Sequence, residues 1–293
     1  MRTALLLIIS CSYLWVNAQF RQNLDTYQYN LKLINPAFVG DENFQSFGVL
    51  YQTRLTKVDG SPESILLSYE NQISKLNSGI GFIASSNSVG VHSYNDLNLQ
   101  YAYHVNLKEN SYLSFGLGFM HSINASNFGE LNILDQDDPS FNSFTLNSKN
   151  YNFDLGVSFR SENLLIAIGS QNLFGTKNLG SFPERDFKVY NFYTHYDFDI
   201  SANTKLTPTL FYRNSENRWF IDSGLRIQLF DVISLGYILR LDHDKNSNSV
   251  FISEIQFFEL IKIYSLLYNQ NVNSNRDRFG SNIEIGMNIN IAN

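Results

Sequence analysis

The stretch LNLQYAYHVNL, residues 97–107, decides the fold. Leu97, Leu99, Tyr101, Tyr103, Val105 and Leu107 fall on one parity, and Asn98, Gln100, Ala102, His104 and Asn106 on the other. Strict period-two alternation puts successive side chains on opposite faces of a β-strand. The same pattern recurs in SNIEIGMNINIA, residues 281–292, where Ile283, Ile285, Met287, Ile289 and Ile291 oppose Asn282, Glu284, Gly286, Asn288 and Asn290. YNFDLGVSFR and VYNFYTHYDFDI repeat it, and helical periodicity is hard to find anywhere in the chain.

Scanning outward, about fourteen such segments of roughly ten residues follow one another, the length a tilted membrane-crossing strand needs. They start near Phe44, Glu63, Gly79, Asn95, Ser111, Asn150, Asn163, Lys188, Lys205, Asn217, Val232, Asn248, Leu260 and Gly280. The expectation is an all-β fold, a transmembrane antiparallel up-and-down β-barrel of about 14 strands. The connections alternate in length. The long ones include RLTKVDGSP, residues 124–149, FGTKNLGSFPERDF, DHDKNSN and NVNSNRDRF; the short ones include SE, FD and the single Glu259. Long outer loops and short periplasmic turns have this parity, and sandwiches and propellers do not.

One strand face carries Leu, Ile, Val, Phe and Tyr. The other holds Glu70, His104, Asp154, Arg160, His195, Asp197, Asp222, Arg226, Arg240 and Lys262. A soluble barrel would turn the apolar face inward and a membrane barrel would turn it to lipid. Fourteen strands closing on an apolar lumen would leave it unfilled, which favours the membrane. The ten polar residues are then expected to line the lumen as a charge network, with His195 and the carboxylates of THYDFD pairing with Arg226 and Arg240.

The chain has 293 residues, 43% apolar and 16% charged, with 17 Tyr and 24 Phe. A net charge of −6 without a basic stripe excludes nucleic acid as the expected partner. MRTALLLIISCSYLWVNAQ reads as a secretory signal peptide over residues 1–18, with cleavage after Ala18. Cys11 is the lone cysteine, and IISC offers lipidation as the competing reading of the same stretch. Residues 19–43 form a periplasmic N-terminal lead-in, and residues 44–293 the barrel. No long N-terminal plug is evident. No further run of 18 apolar residues follows the signal peptide.

No stretch places a nucleophile beside a base, and the five histidines show no metal-ligand spacing. Asp135, Asp137 and Asp138 lack the spacing of a calcium loop. The glycines of GIGF and SFGLGF, spaced by two, mark one strand face. The chain is therefore expected to be a non-enzyme without cofactor or metal.

In LINPAFVGD, residues 33–41, Pro36 fixes its own φ and pushes Asn35 into extended backbone, while Gly40 permits a turn. Together they make a stiff entry into the strand at Phe44. This stretch and its sequel resemble the start of the PorP/SprF family, outer-membrane components of the Bacteroidota type IX secretion system. Ile34, Asn35, Pro36, Ala37 and Gly40 match that family's Ile-Asn-Pro-Ala-x-x-Gly motif, and Asp59, Gly60, Ser61 and Pro62 match its first loop, although the loop's tryptophan is absent. DQDDPSFN is similar to its Asp-x-x-Asp-Pro-x-Phe segment through Asp135, Asp138, Pro139 and Phe141. Near the last strand the family's Ser-Gly-x-His-Glu is kept only at Glu284. The resemblance implies an integral outer-membrane protein that assists export or surface anchoring of a secreted, gliding adhesin-like cargo. The implied partners are the cargo's C-terminal domain, held by loops 124–149 and 173–187, and a periplasmic peptidoglycan-binding protein, with membrane lipid around the barrel. The competing reading is an outer-membrane channel for a small polar solute.

Overall fold

The structure, a computed structural model, describes residues 25–42, 44–108, 110–130, 145–174, 187–216, 218–258, 260–270 and 282–292. Fifteen strand segments follow three short 3-10 turns. They are β1 (Phe44–Thr53), β2 (Glu63–Ile73), β3 (Ser78–Val89), β4 (His92–Lys108), β5 (Ser111–Asn127), β6 (Thr145–Ser161), β7 (Leu164–Gln171) and β8 (Val189–Tyr196). After them come β9 (Phe198–Ser201), β10 (Thr204–Ser215), β11 (Arg218–Leu229), β12 (Ile233–Asp242), β13 (Ser247–Phe257), β14 (Ile261–Gln270) and β15 (Asn282–Ala292). β8 and β9 both pair with β10 and are one barrel strand interrupted at Asp197. The barrel therefore has fourteen antiparallel strands. β1 pairs with β2 on one side and β15 on the other, which closes the sheet into a barrel.

The two faces settle the choice between soluble and membrane barrel. On β4, Leu99 is 50% exposed and Tyr101 46%, while Gln100 is 5% and His104 6% exposed. A soluble barrel would show the reverse. The outward belt continues through Phe47 and Val49, Leu225 and Ile227, and Leu235, Tyr237 and Leu239. Strands of 10–12 residues such as β1, β12 and β14 match the apolar thickness of a bilayer. β4, β5 and β6 have 17 residues each and overrun it at the end that carries the long connections.

The N-terminal region corrects the expectation. Its described part, residues 25–42, is not a periplasmic lead-in; it lies inside the barrel as a plug. Tyr27, Ile34, Ala37, Phe38 and Val39 are 0–4% exposed. Tyr27, Ile34 and Phe38 form a core with the lumen-facing Leu165, Ala167, Tyr193, Phe211 and Phe220. A fourteen-strand barrel encloses more space than its own side chains fill, and here a segment of the same chain fills it. The plug descends from the level of Glu284, near the long-loop end of β15, to the start of β1 at the short-turn end. Thr26 N donates to Glu284 Oε2 at 2.9 Å, and Gly40 N donates to Glu70 Oε2 at 3.1 Å.

Candidate functional site

The plugged lumen is the candidate site, and the glycines explain how the plug fits. A Cβ at Gly116 would lie 2.1 Å from Ala37 N, one at Gly79 2.0 Å from Val39 O, and one at Gly156 1.7 Å from Asn35 Oδ1. Side chains at these three positions would occupy the plug's own space, so β3, β5 and β6 carry glycine where the segment crosses them. Gly40 is constrained twice: its φ is +67°, and a Cβ would meet Gly79 Cα at 2.6 Å.

The stretch 34–40 is built to lie on that glycine floor. Asn35 is extended (φ −156°, ψ 119°), and its Oδ1 accepts from Ala37 N at 2.9 Å, capping a single 3-10 turn over Pro36–Phe38. Its Nδ2 donates to Ile168 O on β7 at 2.8 Å. In return the wall caps the plug's free carbonyls. Gln100 donates to Lys32 O at 3.0 Å, Gln171 to Leu33 O at 2.9 Å and Asn191 to Ile34 O at 2.9 Å. Buried backbone without secondary structure needs such partners.

Ion pairs fasten the plug at its lower end. Lys32, 4% exposed, donates to Glu70 at 2.8 Å, and Asp41 pairs with Arg160. At the upper end Tyr27 donates its hydroxyl to Asp222 Oδ2 at 3.0 Å and packs on Phe211 at 4.3 Å between ring centroids. Burial and the neighbouring Asp222 carboxylate push the Tyr27 phenol well above its usual pKa, so it remains a donor.

All ten charged or imidazole residues expected in the lumen lie there, but they do not form the network expected. Asp222 and Arg240 pair with each other, bidentate at 2.7 Å, with the guanidinium 4.2 Å over Phe220. Glu70 and Arg160 pair with the plug, and His104 donates from Nε2 to Val39 O at 3.1 Å while its Nδ1 pairs with Ser114 Oγ at 2.7 Å. Asp154 accepts from Asn98 at 2.7 Å and from Asn172 N at 3.0 Å. His195 meets Tyr193 at 3.1 Å, and Asp197 accepts from Thr207 at 2.6 Å, so neither pairs with Arg226 or Arg240. The expectation failed because β10 separates His195 and Asp197 from Arg226 by two strand spacings, Asp222 takes Arg240, and the plug takes Glu70 and Arg160. Arg226 and Lys262 line a cavity of about 230 Å³ between plug and wall. Asp138, Pro139 and Phe141, with Asp135, lie outside the described residues, as does most of loop 173–187.

Sequence reasoning missed Tyr27, Lys32 and Asp41 as plug anchors. The signal available was the glycine stripe of GIGF and SFGLGF, which on a lumen face means that something approaches the backbone closely. No group of three or more His, Cys, Asp or Glu able to hold a metal occurs among the described residues.

A family model described as type IX secretion system membrane protein PorP/SprF matches residues 16–289. No curated protein matches the sequence. Among solved structures, the chain is similar to the P. putida toluene transporter TodX, with 7% identity, a TM-score of 0.53, and 90% of this chain and 94% of that one covered. It is also similar to the Acinetobacter baumannii outer membrane protein Omp33, with 11% identity, a TM-score of 0.51, and 86% and 99% covered. At these identities the likeness is one of fold: an outer-membrane barrel.

Proposed function

The chain belongs to the PorP/SprF family of type IX secretion system membrane proteins, and from that premise we propose that it is a plugged barrel serving as a membrane-held platform for secreted cargo. The observation that carries this reading is the lumen itself. Residues 26–41 fill it with a buried core, reciprocal backbone caps and ion pairs at its lower end. A barrel closed in this way offers its two rims, not its bore, as working surfaces. The long-loop rim, raised by the overrun of β4, β5 and β6, is the surface on which the C-terminal domain of a secreted, gliding adhesin-like protein is held. The short-turn rim faces the periplasm and meets a peptidoglycan-binding partner. Signal-peptide cleavage after Ala18 delivers the chain to the outer membrane, and it performs no chemistry of its own.

The competing reading, a channel for a small polar solute, requires the plug to leave, against the contacts just described. A pull-down of the tagged protein from detergent-extracted outer membranes, with mass spectrometry, tests the proposal. Recovery of a large secreted protein through its C-terminal domain, together with other type IX components, is the expected result. A barrel that comes down alone overturns it.

A further inference from the structure

Beyond anchoring, we infer that the cavity beside the plug is a binding site for a small zwitterion of the amino-acid or dipeptide class, entered from the short-turn end. The cavity of about 230 Å³ lies between the plug and a wall made by β1, β2, β6, β8, β11 and β13 to β15. That is below the range of drug-sized pockets and suits a ligand of a few heavy-atom groups. Glu70 and Arg160 also line it but are held by the plug's Lys32 and Asp41; the remaining wall charges alternate in sign along one arc, Asp197 after β8, Arg226 on β11, Glu254 on β13 and Lys262 on β14. With strands about 4.8 Å apart, neighbouring charges sit roughly 5–10 Å from one another along this arc. Glu42, exposed at the foot of the plug, completes the rim.

These groups are underused by the fold. Asp197 accepts one hydrogen bond from Thr207 at 2.6 Å, and Glu254 one from Ser234 at 3.2 Å. Among the described residues, no ion pair or hydrogen bond engages Arg226 or Lys262, and the Arg226 Nε is buried without a partner. Both cations line the cavity, where a ligand carboxylate would give them a partner that the fold does not. The alternation also selects against single-sign ligands. An anion at Arg226 is within reach of the repulsion of Glu254 and Asp197, and a cation at Glu254 meets Lys262 and Arg226. A ligand bearing an ammonium and a carboxylate a few ångströms apart finds a partner for each. Because the plug supplies one wall, such a ligand bridges plug and barrel.

The test is titration calorimetry on the mature, detergent-solubilised protein with three probes of similar size: the dipeptide glycylglycine, succinate and 1,5-diaminopentane. The dipeptide is expected to bind, and each single-sign probe to bind at least about tenfold more weakly. Replacing both wall cations, R226Q with K262Q, is expected to weaken the dipeptide about tenfold or more while the folded barrel keeps its heat-modifiable gel mobility. Glu42→Gln, at an exposed position away from the strands, gives a smaller loss in a variant whose barrel is untouched. No binding of the dipeptide, succinate binding equally well, or undiminished dipeptide binding in the cation-free variant each overturns the inference.

Discussion

Asn35 shows how much one side chain carries in this lumen. Its carbonyl oxygen caps the turn at Ala37 N and its amide reaches the β7 backbone, so both ends of the amide are engaged in a site 2% exposed. Asn35→Ala leaves a backbone carbonyl and an N–H short of partners, and is expected to cost about 1–3 kcal/mol of plug docking. Urea titration followed by proteolysis of the N-terminal segment measures it; a loss below a few tenths of a kcal/mol contradicts the capping role. The opposing residue is Gly116, where any Cβ meets Ala37 backbone atoms that cannot swing aside. Gly116→Val is therefore expected to expel the plug and raise its cleavage rate at least about tenfold, while the outward-facing Phe115 and Leu117 continue to hold the strand in lipid. Local conformation at this scale was legible: extended Asn35, the fixed Pro36 and the turn at Gly40 all follow from residue type. Where the segment sits was not legible, because a local backbone preference is the same in a lumen as in the periplasm.

At the scale of elements, buried ion pairs join strands to one another and to the plug. Asp222 and Arg240 are 1% and 8% exposed at their side chains, and their bond crosses between β11 and β12. Arg240→Met leaves the Asp222 carboxylate buried without its guanidinium. It is expected to destabilise the barrel by about 3–5 kcal/mol, whereas exchanging both residues for apolar ones restores most of the loss. Thermal unfolding by gel mobility distinguishes the two; equal losses would show that the pair acts through something other than charge. Lys32 and Glu70 join plug to β2 in the same way. The strand segments themselves were readable from alternation, to within a few residues at most starts. The long connection expected over 124–149 is shorter, since β5 runs to Asn127 and β6 begins at Thr145. Period-two pairing continues past the bilayer wherever a neighbour is available, and the polar residues Asn124, Ser126 and Asn127 hide that continuation in the sequence. Interruption of one barrel strand at Asp197 was equally invisible, because alternation persists through it.

For the whole molecule, the lipid-facing belt and the filled lumen make separate demands. Leu99→Arg puts a charge in the apolar band and is expected to cost about 2–4 kcal/mol of insertion stability. Refolding into vesicles across a urea series checks it, and a neutral outcome would contradict the membrane placement of β4. Intact protein in a planar bilayer is expected to pass no steady current. Deleting residues 25–42 removes the core of the lumen, and the expected result is a persistent, water-filled conductance. A wild-type current equal to that of the deletion would revive the solute channel and remove the premise of a platform.

What the chain determined by itself is what short-range order can carry. Alternation dictates strands, the sign of the alternation gives each strand an apolar and a polar side, and the even count with alternating connection lengths closes those strands as a membrane barrel. What only the tertiary structure decided is what occupies the inside. Thr26 meets Glu284 across 258 residues of sequence and Tyr27 meets Asp222 across 195. No local periodicity encodes such contacts. They arise because closure of fourteen strands creates a space, and the segment with apolar, small and turn-forming residues in the right order lowers the free energy by filling it.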